Sequence, residues 1–81
     1  MAIMPHFYFD LDDNGRLAPD PDGLLLASLE EARTQAMTAL AEMARDHKPI
    51  ADERALSITV RDGDGPLYRV DMMTRCAPVR G

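Results

Sequence analysis

The sharpest chemical motif in the chain is Asp10-Leu11-Asp12-Asp13-Asn14-Gly15. Oxygen-bearing side chains at alternate positions, then glycine for a sharp turn, match the first half of a calcium loop. That spacing lets Asp10, Asp12 and Asn14 converge on one hard cation. The twelfth loop position, where a bidentate glutamate is needed, falls on Pro21, with Asp20 and Asp22 as substitutes of a non-standard kind. A second acidic turn, Asp62-Gly63-Asp64-Gly65, follows later. Placed at one end of a sheet, Asp12, Asp13, Asp62 and Asp64 would attract Ca²⁺ or Mg²⁺. The candidate metal residues are therefore Asp10, Asp12, Asn14, Asp62 and Asp64. The plainer reading is two solvated turns, because Asp, Asn and Gly are also what strand ends select, and it is the reading we favour. No other cofactor is suggested.

Other chemistry is thinner. His6, His47 and Cys76 do not assemble a zinc set, which takes three or four ligands, and His47 near a helix C-terminus is explained by the helix dipole. Ser28 and Ser57 are the only serines; neither stands in a nucleophile, histidine and acid arrangement. Paired carboxylates abound, yet nothing marks a pocket that would raise one pKa. No catalytic residue is expected, and the chain reads as a non-enzyme. Six methionines offer adaptable contact surface. Met43 and Met72 fall on apolar faces, whereas Met37 and Met73 are expected to be exposed.

The elements that position these residues follow from periodicity. Over His6–Asp12, Phe7, Phe9 and Leu11 alternate with His6, Tyr8, Asp10 and Asp12, which is the period of a half-buried strand. Asn14-Gly15 supplies the positive φ of a tight turn. Residues 16–23, with Asp20-Pro21-Asp22-Gly23, read mainly as loop, and Leu24-Leu25-Leu26 as a possible short strand. Ser28-Leu29-Glu30-Glu31 is a capping box. Leu29, Ala32, Ala36, Leu40 and Met43 then form one apolar stripe, so a helix is expected to about Asp46 or His47, before Pro49. Lys48–Arg54 reads as a polar connector. Leu56, Ile58 and Val60 alternate with Ser57, Thr59 and Arg61; after the Asp62–Pro66 turn, Tyr68, Val70 and Met72 oppose Arg69, Asp71 and Met73. This pair is a β-hairpin. Cys76–Gly81 carries no partner signal.

The expected fold is α+β in a single domain, ordered over about residues 5–75. One amphipathic helix packs on a three- or four-stranded mixed or antiparallel sheet, in the order β-(β)-α-β-β. If the first strand pairs with Leu56–Arg61 across the helix, those two are expected to be parallel. The far face of the sheet would then carry Tyr8, Asp10, Thr59, Arg61, Arg69 and Asp71.

Met4-Pro5, Phe7-Tyr8-Phe9-Asp10, Asp22-Gly23, Ser28-Leu29-Glu30-Glu31-Ala32-Arg33 and Val60-Arg61-Asp62 with Asp64-Gly65, in that order, resemble a family of small bacterial proteins defined only as a domain of unknown function. The likeness runs from Met4 to about Met73. It implies no activity and no site residue. Because such proteins tend to begin Met-Pro, it implies Met4 as the natural start. A fainter similarity, carried by Leu29-Glu30-Glu31-Ala32 after an Asp/Gly turn, is to HicB-like antitoxins, and implies a small protein partner.

Composition bounds the function. Eighty-one residues, of which 46% are hydrophobic and four aromatic, make one aliphatic core and leave no room for a large cleft. A formal charge of −5, with the basic residues scattered among acids, counts against nucleic acid. No apolar run is long enough to span a membrane. One cysteine points to a reducing cytoplasm. The expected role is a non-catalytic interaction or regulatory module that forms a homodimer or docks a protein partner, with an antitoxin component or a divalent-cation-binding domain as alternatives.

Overall fold

A computed structural model describes residues 4–46 and 53–80. It contains β1 (His6–Asp13), β2 (Arg16–Ala18), β3 (Leu24–Leu25), α1 (Leu29–Asp46), β4 (Glu53–Asp62) and β5 (Gly65–Arg75). One helix covers one face of an antiparallel sheet with the strand order β2-β1-β4-β5, and β3 pairs with the beginning of β1. The α+β architecture and its element order are those expected. Residues 47–52, with His47 and most of the expected polar connector, lie outside the described residues.

Asn14 and Gly15 both take positive φ, 52° and 91°, and join β1 to β2 through a two-residue turn with Asp13 opposite Arg16. The stretch read as loop therefore begins as a strand. Its three residues carry a single large apolar side chain, Leu17, too little for alternation to show.

The expectation that β1 runs parallel to β4 is overturned. Tyr8 pairs with Arg61 and Asp13 with Leu56, so the two strands are antiparallel. The reason is the return arm. β2 and β3 carry the chain back to the start of β1 before the helix begins. The helix, about 27 Å long at 1.5 Å per residue, then climbs to the far end, and β4 must descend. Glu53 and Arg54, expected in the connector, already belong to β4.

The helix starts as its capping box dictates. The Glu31 N–H donates to Ser28 Oγ at 3.2 Å, and Glu31 reaches back to the Ala27 N–H at 3.0 Å, one residue earlier than the Ser28 N–H of a standard box. Its small side chains, Ala32 and Ala36, let the helix sit close on the sheet, and Leu40 fills the space beyond them. These three form the core with Phe7, Leu56, Ile58 and Val60, flanked by Phe9, Leu11, Met43, Val70 and Met72. Leu29 and Tyr68, expected inside, lie at the rim and are exposed; Arg33 stacks over the Tyr68 ring at 5.4 Å. Met37 and Met73 are exposed as expected.

Candidate functional site

The face of the sheet turned away from the helix follows from strand parity. With Phe7, Phe9, Leu56, Ile58 and Val60 under the helix, the other face must display Tyr8, Asp10 and Asp12 of β1, Ser57, Thr59 and Arg61 of β4, and Arg69, Asp71 and Met73 of β5. The register sets them in rows: Tyr8 beside Arg61, Asp10 beside Thr59 beside Arg69, Asp12 beside Ser57 beside Asp71. The short side chains Ser57 and Thr59 make a valley between charged rows, and Ser57 lies buried in its floor. A shallow groove of about 480 Å³ follows this valley past Asp12, Ser57, Arg69 and Asp71 to Met73.

One end of this face is rigidly built. Between β2 and β3 the return arm bulges through Pro19–Gly23, and Asp20 repairs the gap. Its carboxylate accepts the backbone N–H groups of Phe9, Asp22 and Gly23, each at 3.1 Å. The Asp20 N–H in turn donates to Asp10 Oδ1 at 2.9 Å, and Arg61 Nε donates to Asp10 Oδ2 at 2.6 Å. Arg61 also stacks on Tyr8 at 4.3 Å, and Tyr8 stacks on His6 at 4.8 Å with the ring planes nearly parallel. His6 Nε2 donates to the Asp22 carbonyl at 2.7 Å. Burial pushes the Asp20 carboxyl up. The hydrogen bonds from Gly23, Asp22 and Phe9, with the field of Arg61, outweigh that and hold its pKa below the ordinary aspartate value.

At the opposite end of the sheet, and by strand parity on its helix-covered side, Arg54 grips Asp13 with a two-pronged contact, Nε to Oδ1 at 3.1 Å and Nη2 to Oδ2 at 2.7 Å. The Arg54 side chain is only 11% exposed. Hydrogen bonding to Asp13 raises its pKa further above the usual arginine value, against the opposing effect of burial.

The two acidic turns do not share a sheet end. Asp12 and Asn14 sit where β4 begins, and Asp62 and Asp64 sit where it ends, because β1 and β4 are antiparallel. The convergence of Asp12, Asp13, Asp62 and Asp64 is thereby overturned. Within the first motif the oxygens serve local structure. Asp10 binds Arg61 and the Asp20 N–H. Asp12 Oδ1 accepts the Gly15 N–H at 2.7 Å, and Asn14 Oδ1 accepts the Ala55 N–H at 2.7 Å. Asp62 Oδ1 accepts the Asp64 N–H at 2.8 Å. Among the described residues no three His, Cys, Asp or Glu side chains gather to hold an ion. The roles of Asp20 and Arg61 as organisers of this face, and of Arg54 as the clamp on Asp13, are not among those expected from the sequence. The available signals were an acid between two prolines, and arginines set outward or at a strand end.

β5 is the other feature of this face. Among the described residues it pairs with β4 alone, so one side of an eleven-residue strand is left open. The chain matches the family model described as a domain of unknown function, DUF6894, over residues 6–74. It belongs to that family. The matched span begins with β1 and ends within β5, so the family is defined by the whole sheet and its helix. No curated protein matches the chain, and no solved structure does. The likeness to HicB-like antitoxins is not shown by these comparisons and rests on the helix start alone. No helix among the described residues is long and apolar enough to cross a membrane.

Proposed function

We propose that this protein is a non-catalytic interaction module that self-associates through its sheet. The observation that carries this reading is the contrast between the two sheet edges. On one side β2 and β3 are short, interrupted by Pro19 and Pro21, and tied down by Asp20. Such devices blunt an edge against pairing with another chain. On the other side β5 presents a long strand whose outer backbone groups have no strand to pair with among the described residues. Edge strands of this kind are used for β-augmentation, in which main-chain hydrogen bonds give affinity and alternate side chains give specificity.

The surroundings agree. The groove on the open face is shallow and lined by side chains committed to neighbours, which suits a contact surface better than a reaction vessel. The lone Cys76 is exposed, and with a charge of −5 it supports a cytoplasmic protein whose partners are proteins rather than nucleic acid. Sedimentation equilibrium of the full chain up to hundreds of micromolar tests the reading. A monomer–dimer equilibrium is expected, and a single monomeric species across that range overturns it.

A further inference from the structure

Backbone geometry says which groups the open edge offers. The Phe9 N–H is turned toward Asp20, away from β4, and the Asn14 N–H donates to the Ala55 carbonyl of β4 at 2.8 Å. Even-numbered residues of β1 therefore pair with β4. Antiparallel ladders alternate, so Val60, Ile58 and Leu56 turn their backbone groups toward Tyr68, Val70 and Met72 of β5. That leaves the N–H and C=O groups of Arg69, Asp71 and Met73 directed outward.

The side chains along this edge are self-complementary when reversed. From Leu67 to Met73 the order is apolar, aromatic, basic, Val70, acidic, Met, Met. We propose that two copies of this chain join edge to edge through β5, antiparallel, with Val70 opposite Val70 on the two-fold axis. This assignment rests on the self-association reading and specifies its register. Arg69 of each copy then faces Asp71 of the other, and the pair exchanges both backbone hydrogen bonds. Within one chain Arg69 Nε already lies 2.8 Å from Asp71 Oδ1, with both side chains more than 60% exposed. Two such pairs brought together alternate in sign around a square. Moving the axis by one residue either way, a two-residue slip in register, places Arg69 against Arg69 or Asp71 against Asp71, and like charges directly opposite are unfavourable.

The apolar groups agree with the same register. On the helix side, Tyr68 is 40% exposed at the rim, and in the dimer it lies against Met72 of the second copy. On the open face, Met73, 73% exposed, meets Leu67. Pro66 lies just outside the paired segment in both copies. Lacking an N–H, it ends the ladder at each side of a seven-residue core centred on Val70.

The test uses charge reversal in the full chain. Arg69→Asp and Asp71→Arg are each prepared, and circular dichroism establishes that both retain the fold, as expected for exposed side chains. Sedimentation equilibrium is then measured for the wild type, each variant and their equimolar mixture. The wild type should dimerise, and each variant alone should weaken the dimer roughly tenfold or more, since both cross-axis pairs become like-charged. The mixture should recover wild-type affinity, because the acidic pair of one variant faces the basic pair of the other. Variants that dimerise as well as wild type, or a mixture no tighter than its components, overturn the β5 register while self-association stands. A wild type that stays monomeric overturns both.

Discussion

The carboxylate of Asp20 accepts the backbone N–H of Phe9 at 3.1 Å, at the point where the return arm bulges away from β1. A side chain thus takes the place of a missing strand residue and keeps a part-buried donor satisfied. Asn at position 20 keeps one carbonyl oxygen but turns an NH₂ group toward N–H donors. Asp20→Asn is expected to lower stability by about 1–2 kcal/mol, read by urea denaturation. The same carboxylate confers a pH dependence. Its folded pKa is lowered, so the unfolded chain takes up the proton more readily. Its contribution is complete above the ordinary aspartate pKa and is lost as pH falls through that value to the lowered one. Thermal midpoints of wild type and Asp20→Asn should therefore converge on acidification across that window, and parallel curves would contradict the assignment.

Gly23 and Gly15 both take positive φ, but only Gly23 is hemmed in. A Cβ at Gly23 would come within 2.6 Å of the Phe7 carbonyl oxygen and the His6 ring, whereas a Cβ at Gly15 would meet open space. Gly15→Ala should cost about 1–2 kcal/mol for left-handed backbone alone. Gly23→Ala should cost clearly more, because the Phe7 carbonyl is backbone and cannot swing aside. Equal losses in chemical denaturation would mean that the return arm is not packed as described.

Leu40 is fully buried where the helix meets the sheet, and Met37, one turn earlier on another face, is exposed. Leu40→Ala should destabilise by about 2–5 kcal/mol through lost burial and the cavity left behind. Met37→Ala should change stability by less than about 0.5 kcal/mol. Reversal of that order would place a different face of the helix on the sheet.

Calcium distinguishes the two readings of the acidic turns. With Asp12 and Asp62 at opposite ends of the sheet, millimolar Ca²⁺ is expected to leave the melting midpoint unchanged. A cation bound only by the folded state would raise it in proportion to its occupancy.

The fold was legible wherever a face is buried. Phe7, Phe9, Ile58 and Val60 alternate because the helix covers one side of the sheet, and Ser28 with Glu31 marks the helix start by its own hydrogen bonds. Periodicity fails where no face is buried. Arg16–Ala18 forms a strand through its turn and its register alone, and Asn14-Gly15 was the only sign that one must follow. The direction of β4 was hidden for a related reason: it depends on which way the chain travels through Pro19–Gly23, where an aspartate replaces regular pairing. Of the open face, the outward row of Tyr8, Asp10, Thr59, Arg61, Arg69 and Asp71 was visible from alternation. The bond between Asp10 and Arg61 was not, because residues 51 apart are neighbours only once the strand order is known.

The broken arm formed by β2 and β3 also bears on how far assembly can go. A sheet with two receptive margins can add copies without end, which is how cross-β fibres grow. Here prolines, a bulge and a carboxylate occupy one margin, so a pair joined through β5 has nothing left to extend. If the proposed β5 pairing holds, growth would stop at two, and the least regular stretch of the described chain would be what keeps an eleven-residue edge strand from polymerising.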